Sequence, residues 1–495
     1  MRQGNAGNKY DVVVVGGGIV GTMIAREMSR YRLKVALLEK ELDVGVGSTK
    51  ANSAIVHAGF DAEPGTLKAS LNVKGTALFP SVAEELGVEF AQTGSLVVAV
   101  EREEIPALEE LVERGRLNGV RGLEVINGDR LFLLEPNLNR AAVAALHATT
   151  AGITCPFRLA IAAAENAVTN GVALYRGCPV TGVLVDRGAV RAVATPLGEF
   201  GCDYLVNAAG LHADEVARLA GDDSLGIRPR RGEYHVLDKS ARALVRTVVF
   251  PVPSKVSKGI IVAPTIDGNI IVGPNAEDIR DKEDTATTAA GLREVLAGAA
   301  RLVPAVDGAL PPITQYSGLR AVEKGGDFVV TPSTTVRGLV NVAGIQSPGL
   351  SAAPAIAPLV VEILREMGLR TVPNPAFNPE RKPPWRFAGL CDAERSAAVE
   401  RDRDCGHIVC RCESVTRAEV LAAIRGPVGA LTLDGIKRRT RAGMGRCQGG
   451  FCTPRILSIT AQEMGQAAES LLKSEPGSPL VAGLTRPEAV ADWGD

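Results

Sequence analysis

The hydrophobic pattern at the start of the chain predicts a strand, a helix and a second strand in close succession. Residues 10–15 are a β-branched run, residues 19–30 have helical periodicity, and residues 34–38 form a second apolar run. A strand–helix–strand unit of this kind builds a parallel sheet. The pattern therefore predicts an α/β domain in this part of the chain.

The pattern further along predicts an antiparallel region followed by a return to the first sheet. Residues 228–331 are rich in β-branched residues and turns, which is typical of an antiparallel sheet. The other predicted elements are helices over 103–117, 156–170 and 350–367, strands over 180–185, 189–195 and 203–210, and a buried strand over 338–344. Five prolines between Pro373 and Pro384 then disfavour regular structure and indicate a linker. A small cysteine-bearing domain is expected to follow.

Composition limits the classes of function. Lys and Arg (55) nearly balance Asp and Glu (56) across 495 residues. The balance argues against nucleic acid as a partner, because phosphate binding needs a concentrated basic surface. No apolar run approaches the ~18 residues that span a bilayer. The polar stretch Met1–Lys9 lacks the apolar segment of a signal peptide. We therefore expect a cytoplasmic protein that reaches a membrane only through a partner.

A glycine-rich motif follows the first predicted strand. Gly16, Gly18 and Gly21 form G-x-G-x-x-G at a strand-to-helix junction, and Glu39 ends the second strand. Glycines let the backbone approach a pyrophosphate, the start of the helix supplies N–H groups, and the acid accepts hydrogen bonds from ribose hydroxyls. The motif predicts a dinucleotide site. The alternative is a glycine-rich turn with no ligand.

Two further segments favour FAD over NAD. Residues 45–59 are small and polar, which suits a segment that wraps an isoalloxazine ring. Residues 344–350 run from a strand into a helix, whose N-terminus stabilises negative charge on a reduced flavin. Beyond the glycine motif and Glu39, we expect FAD contacts from Lys40, Ser48, Thr49, Asn52, Ser53, Val180, Ala209, Gly210, Gly318, Gly344, Gln346, Ser347, Gly349 and Leu350.

Four of the nine cysteines form a pattern. Cys410 and Cys412 give C-x-C, and Cys447 and Cys452 give C-x4-C after a gap of 34 residues. Four thiolates ligate a [2Fe-2S] core with two sulfurs on each iron. Structural zinc is the alternative, because four cysteines also bind zinc.

Longer stretches of the chain resemble known families. Residues 12–80, 203–217 and 313–357 resemble the D-amino-acid-oxidase-like superfamily of FAD oxidoreductases. Within it, N-S-A-I-V-H-A-G-F at 52–60 and P-G-T-L-K-A at 64–69 resemble glycerol-3-phosphate and L-2-hydroxyglutarate dehydrogenases. Residues 405–460, chiefly the cysteines and G-x-C-Q-G-G-F-C, resemble bacterioferritin-associated-ferredoxin-like [2Fe-2S] domains.

The resemblance implies an α/β fold with three parts. These are a Rossmann-like FAD domain of the glutathione-reductase type, an inserted antiparallel-sheet substrate domain and a small, mostly helical [2Fe-2S] domain. The expected boundaries are FAD domain at 1–84, 148–225 and 335–372, substrate domain at 85–147 and 226–334, linker at 373–402, [2Fe-2S] domain at 403–470 and tail at 471–495.

The candidate catalytic residues are a histidine and an arginine. Oxidising a hydroxyl needs a base for its proton, and His57 lies in the segment expected to face the flavin. The alternative is that His57 only contacts the flavin. Arg320, in S-G-L-R-A, matches the arginine that related enzymes place over the flavin, where it binds an anion. Arg231, Lys255 and Lys258 are further candidate substrate ligands on predicted loops.

These observations predict an FAD-dependent dehydrogenase that passes electrons through its cluster to a partner protein or carrier. The expected substrate is a small anionic hydroxy compound, first sn-glycerol 3-phosphate and then L-2-hydroxyglutarate. An amine or imino acid such as proline or hydroxyproline is a third candidate. A different class stays open, namely an electron-relay subunit without a substrate of its own.

Overall fold

A computed structural model describes residues 9–253, 259–308 and 311–483 of the chain. These residues group into two compact units, divided after Pro383, and Glu41–Asp43 group with the second unit. No helix among the described residues is long and apolar enough to cross a membrane.

The strands are short, as is usual for a mixed α/β protein. They are β1 (Lys9–Val15), β2 (Val35–Glu39), β3 (Ile55–Val56), β4 (Phe90–Ala91), β5 (Ser95–Ala99), β6 (Leu123–Asn127), β7 (Ala144–Ala148), β8 (Gly152–Thr154), β9 (Ala173–Arg176), β10 (Gly182–Asp186), β11 (Ala189–Thr195), β12 (Gly198–Asn207), β13 (Ile227–Leu237), β14 (Val248–Pro251), β15 (Ile261–Pro264), β16 (Ile270–Gly273), β17 (Glu277–Asp278), β18 (Thr314–Glu323), β19 (Val329–Pro332), β20 (Leu339–Ala343), β21 (Ile408–Cys410) and β22 (Val415–Thr416).

The helices cover the sheets of the first unit and dominate the second. They are α1 (Ile19–Met28), α2 (Gly47–Lys50), α3 (Leu67–Glu85), α4 (Ile105–Leu117), α5 (Gly128–Leu134), α6 (Pro156–Thr169), α7 (Ala213–Leu219), α8 (Ala289–Leu302), α9 (Gly349–Glu366), α10 (Asp392–Arg401), α11 (Arg417–Arg425), α12 (Leu433–Thr440) and α13 (Thr453–Met464).

The first sheet of unit one has the parallel centre that the N-terminal pattern predicts. Strands β9, β2, β1, β12 and β20 lie side by side and parallel, while β10, β11 and β19 extend the sheet in antiparallel pairs. Ile24, Leu159 and Ile356 of α1, α6 and α9 are buried in one core with alternate residues of β1. The carboxyl ends of β1, β2, β12 and β20 therefore meet at one edge of the sheet.

The second sheet of unit one joins the two segments assigned to the substrate domain. Its order is β17-β13-β16-β15-β14-β5-β7-β6, and β18 also pairs with β13 along ten residues. The antiparallel prediction for 228–331 is incomplete in two respects. β14 runs parallel to β5, and α8 interrupts the strands with an amphipathic helix capped by Thr288.

The second unit is a small helical domain around a hairpin. β21 and β22 pair in antiparallel fashion, and Val409, Val420, Ile436 and Ile456 are buried together in its core. The sequence predicts a capping box between Thr416 and Glu419, and the reciprocal side-chain and backbone hydrogen bonds at the start of α11 confirm it. The helix α12 begins after Thr432, whose side chain accepts a hydrogen bond from Gly435 N.

The predicted linker over 373–402 is more structured than expected. Residues 374–381 hydrogen-bond to the rest of unit one, for example through Asn374 N to Arg30 O and Arg381 N to Glu85 O. In unit two, α10 occupies Asp392–Arg401. Proline removes backbone donors but leaves carbonyl acceptors, and Asn166 Nδ2 donates to the carbonyls of residues 378 and 379.

The predicted tail from 471 also begins with packed residues. Leu471 is buried, and the carbonyls of residues 472 and 473 accept hydrogen bonds from the first N–H groups of α12. Those N–H groups have no partner inside their own helix, so the docked chain satisfies them.

Candidate functional site

The glycine-rich turn lies where β1 passes into α1. A Cβ on Gly21 would fall 1.9 Å from Gly16 O, and a Cβ on Gly16 would fall 2.3 Å from Ala208 O. Gly16 also has a φ of +106°, which side-chain-bearing residues rarely adopt. Only glycine therefore lets this turn close against the end of β12.

Glu39 lies beside this turn at the end of β2. Its buried Oε2 accepts a hydrogen bond of 2.5 Å from Gly17 N, and a Cβ on Gly17 would block that approach. The N–H of Ile19, at the start of α1, donates to Thr49 Oγ1 at 3.0 Å. The turn, the acid and Thr49 thus form one polar cradle at the carboxyl edge, where open α/β sheets bind dinucleotides. These residues fit the pyrophosphate and ribose of FAD.

Residues 207–210 and 344 reach the same edge from neighbouring strands. Val15 pairs with Asn207, and Asn207 pairs with Asn341 of β20. Ala209 and Gly210 follow β12, and Gly344 follows β20 with a φ of +66°. The tertiary structure thereby gathers chain segments that are more than 300 residues apart in sequence.

The segment expected to wrap the flavin docks against β13 and β18. Ser48 Oγ donates to Leu319 O (2.6 Å), Ser53 Oγ lies 3.2 Å from Tyr234 Oη, and Asn52 Oδ1 accepts from Ala54 N. A Cβ on Gly318 would fall 1.8 Å from Ala51 O, so glycine permits this close packing. The substrate sheet and the flavin segment therefore share one boundary within unit one.

His57 lies between this segment and the start of α9. Its Nε2 is 3.3 Å from Ser347 Oγ, and its backbone N–H donates to Ser351 Oγ at 2.8 Å. Its ring centroid is 5.9 Å from that of Phe250 on β14. The loop that carries Ser347 is closed by Gly349 N donating to Gln346 O, and Leu350 follows in the first turn of α9.

The two candidate arginines have different surroundings. Arg231 is buried and donates to Glu277 (2.6 Å) and Asp284 (2.9 Å). Its charge is already neutralised, so we withdraw it as a substrate ligand. Arg320 is half-buried and donates to Asn275 O (3.3 Å), and within the described residues it forms no ion pair. Lys255 and Lys258 lie outside the described residues.

Two tyrosines of this region were missing from the sequence prediction. Tyr234 and Tyr316 are paired across β13 and β18 with stacked rings 4.6 Å apart, and Tyr316 Oη donates to Asn52 O (2.9 Å). Tyr316 and Arg320 lie on the same face of β18, because side chains alternate along a strand. The strand periodicity alone would have indicated this shared face.

Two predicted FAD contacts have other partners. Lys40 Nζ lies 3.3 Å from His212 Nε2 and 3.2 Å from Glu283 Oε1. Val180 packs against the core on the opposite face of the first sheet. Their contact with FAD stays a prediction.

The four cysteines of the C-x-C and C-x4-C motifs stand in two pairs. Cys412 Sγ and Cys447 Sγ are 3.8 Å apart and exposed, while Cys410 and Cys452, whose thiols shift each other's pKa, are each only 1% exposed. Two sulfurs on one tetrahedral metal with bonds of about 2.3 Å lie about 3.8 Å apart. Each pair takes one cysteine from C-x-C and one from C-x4-C. Two pairs suit a [2Fe-2S] cluster better than one zinc ion.

One thiol of each pair has a lowered pKa, Cys410 and Cys447, while the pKa values of Cys412 and Cys452 are raised by the neighbouring thiols and by burial. The Cys452 thiol, with the N–H groups of Gly443 and Glu413, lowers the pKa of Cys410 against the opposing effect of burial. N–H groups of Phe451 and Gly449 likewise lower the pKa of Cys447. A Cβ on Gly445 would fall 2.2 Å from Cys412 Cβ, so a glycine is required beside the sulfurs. These residues fit an anionic iron–sulfur cluster.

The chain belongs to the FAD-dependent oxidoreductase family. Residues 11–363 match the family described as FAD dependent oxidoreductase, and residues 408–462 match the BFD-like [2Fe-2S] binding domain. The predicted fold class and both cofactors, FAD and a [2Fe-2S] cluster, are thereby confirmed.

Individual proteins similar to this chain narrow the class of FAD-dependent oxidoreductase. A glycerol 3-phosphate dehydrogenase of Caloramator mitchellensis is 43% identical over 97% of this chain and 99% of its own length. The structure of dithionite-reduced L-alpha-glycerophosphate oxidase from Mycoplasma pneumoniae with FAD bound is 31% identical, with a TM-score of 0.72, over 76% of this chain and 100% of that chain. An L-2-hydroxyglutarate dehydrogenase of Caenorhabditis elegans is 37% identical over 54% of this chain and 64% of its own length. The chain is thus glycerol-3-phosphate dehydrogenase-like.

Replacing Cys447 by serine is expected to remove the cluster while leaving the flavin. Loss of one thiolate leaves an iron with an incomplete ligand set, whereas FAD is held in unit one. The measurement is iron and sulfide content with the visible spectrum of anaerobically purified protein. Cys391→Ser is the control, because Cys391 is exposed and lies outside both pairs. A full cluster in Cys447→Ser, or its loss in the control, would contradict the ligand assignment.

Proposed function

We propose that the chain oxidises sn-glycerol 3-phosphate to dihydroxyacetone phosphate and passes the electrons through its [2Fe-2S] cluster to an acceptor protein. The observation that carries this proposal is the 43% identity to a glycerol 3-phosphate dehydrogenase over nearly the full length of both chains. That similarity covers the cysteine domain as well as the flavin domain.

Arg320 is our candidate ligand for the substrate phosphate. It is a half-buried cation without a carboxylate partner in the described part of the chain, and charge-assisted hydrogen bonds to phosphate are strong. Tyr316, on the same face of β18, is half-buried, and removal of its hydroxyl from water raises the pKa of that hydroxyl well above its usual value. The phenol therefore stays protonated and adds no competing negative charge.

His57 is our candidate for the base that accepts the substrate hydroxyl proton. Bound FAD supplies the acceptor for the hydride that leaves the same carbon. The proton would move to His57 Nε2, the atom that lies 3.3 Å from Ser347 Oγ. Ser347 and Ser351 fix the ring and the backbone of His57, so the imidazole is held in one orientation.

The cysteine domain favours a dehydrogenase over an oxidase. The glycerophosphate oxidase structure aligns over its entire length with 76% of this chain, and the [2Fe-2S] domain occupies residues 408–462 at the far end. A flavin accepts two electrons at once, whereas a [2Fe-2S] cluster carries one. An added cluster therefore suits export of single electrons to a carrier.

L-2-hydroxyglutarate is the second candidate substrate, because relatives that carry that name match about half of this chain at 37% identity. Both substrates are anionic secondary alcohols, so Arg320 suits either. The match to that relative spans 54% of this chain, against 97% for the glycerol 3-phosphate dehydrogenase.

Anaerobic addition of glycerol 3-phosphate is expected to bleach the flavin bands of the purified protein and then the iron–sulfur absorbance. L-2-hydroxyglutarate and L-proline serve as comparisons under the same conditions. The proposal fails if glycerol 3-phosphate leaves the flavin oxidised while either comparison compound reduces it. If a reduced nicotinamide or a partner protein alone reduces the flavin, the chain is a relay subunit.

Arg320→Gln is expected to raise KM for glycerol 3-phosphate by about tenfold to a hundredfold, because it removes a charged hydrogen bond to the phosphate. Steady-state kinetics with an artificial acceptor measure the effect. Arg230→Gln is the matched control, since Arg230 lies opposite Arg320 on β13 and pairs with Asp278. Equal KM changes in the two variants would remove Arg320 from the phosphate site.

His57→Asn is expected to lower the rate of flavin reduction by about a hundredfold or more, since general-base catalysis contributes that much. Stopped-flow absorbance at saturating substrate measures the rate. The FAD content should stay near one per chain, which separates proton transfer from flavin binding. Near-full turnover with FAD retained would reject the catalytic assignment.

A further inference from the structure

Phe451 is an exposed aromatic residue next to a ligand cysteine. Its ring is 46% exposed, although phenylalanine is usually buried. The guanidinium carbons of Arg411 and Arg455 lie 4.9 Å and 4.7 Å from the ring centroid, within the range of cation–π contacts. We name Arg411, Phe451 and Arg455 the Arg–Phe–Arg patch.

The positive charge of this patch is not neutralised. Neither Arg411 nor Arg455 forms an ion pair with a carboxylate among the residues that the structure describes, and Arg455 Nη1 donates only to Ile408 O, at 3.4 Å. Two other arginines of the same unit do have such partners: Arg425 pairs with Glu463, and Arg395 pairs with Asp392. The patch therefore presents two uncompensated charges around an apolar ring.

The patch adjoins the sulfurs that face solvent. Arg411 lies between Cys410 and Cys412 in sequence, and Phe451 immediately precedes Cys452. Of the two cysteine pairs, Cys412 and Cys447 are exposed. An electron that leaves through the exposed pair would therefore cross the surface beside this patch.

We propose that the Arg–Phe–Arg patch is the docking site for a small acidic electron-carrier protein. The inference rests on the proposed function, because it supplies the exit for the electrons taken from glycerol 3-phosphate. Opposite charge steers such a carrier to the site, and arginine and aromatic side chains commonly dominate protein interfaces. One substrate molecule would yield one dihydroxyacetone phosphate, two singly reduced carriers and two protons.

The test follows electron transfer from enzyme that has been chemically reduced without substrate. Holoenzyme is reduced anaerobically with dithionite, freed of excess reductant and mixed with an oxidised acidic [2Fe-2S] ferredoxin in a stopped-flow instrument. The rate is compared at about 0.01 M and about 1 M salt, where the Debye length is about 30 Å and about 3 Å. Because no substrate is used, the outcome is independent of the substrate assignment.

Arg411→Gln/Arg455→Gln is expected to lower the second-order rate constant about tenfold at low salt and to flatten its dependence on salt. The single variant Arg455→Gln, which leaves C-x-C untouched, should give an intermediate rate. Arg395→Gln/Arg425→Gln is the matched control, because it removes two positive charges from the same unit. It also removes one arginine–aromatic contact, between Arg395 and Phe387. Iron content and reduction of a small neutral dye should be unchanged in all variants.

Three results would overturn the proposal. One is an unchanged rate and salt dependence in the double variant. Another is faster reduction of a basic carrier, such as a c-type cytochrome, than of the acidic ferredoxin. The last is binding of wild-type enzyme to vesicles of anionic phospholipid that the double variant loses, which would make the patch a membrane contact. Failure of glycerol 3-phosphate to reduce the enzyme would instead count against the proposed function alone.

Discussion

The flavin-binding part of the structure depends on how closely the backbone can approach itself at the end of β1. The carbonyl oxygen of Gly16 lies where a side chain at residue 21 would begin. The carbonyl oxygen of Ala208 likewise lies where a side chain at residue 16 would begin. If this turn opened, α1 would no longer begin beside Glu39 and the end of β12. Glycine is therefore required at these positions for the backbone to pack, and the nucleotide cradle forms as a consequence of that packing.

In the cysteine domain the main constraint is electrostatic, because four negative sulfurs must be held in a small volume. The Cys452 thiol and backbone N–H groups lower the pKa of Cys410, and backbone N–H groups lower that of Cys447. One pair is buried and the other is exposed. This asymmetry gives the centre an inner and an outer side, which suits a site that receives electrons and then releases them.

Charge pairing distinguishes Arg231 from the arginines that carry the functional proposals. Arg231 is held by two carboxylates, so it joins β13 to the residues after β17. Arg320, Arg411 and Arg455 are the contrasting cases, since each keeps its charge uncompensated among the described residues. The charges of these three residues remain available to an anionic ligand or partner, which is why the three residues carry the functional proposals.

Local patterns in the sequence determined the elements and the chemistry of the cofactors. The run at 10–15, the glycine motif and Glu39 predicted an α/β unit with a dinucleotide site, and the two cysteine motifs predicted a four-thiolate centre, because each motif depends on residues close together in the chain. The choice of FAD and of a [2Fe-2S] cluster also drew on the segments 45–59 and 344–350 and on the family resemblance. Tertiary structure decided which cysteines pair, that Arg231 is already neutralised and Arg320 is not, and that residues 374–381 pack against the rest of unit one. Those outcomes depend on contacts between residues far apart in sequence, for which a linear pattern carries no signal.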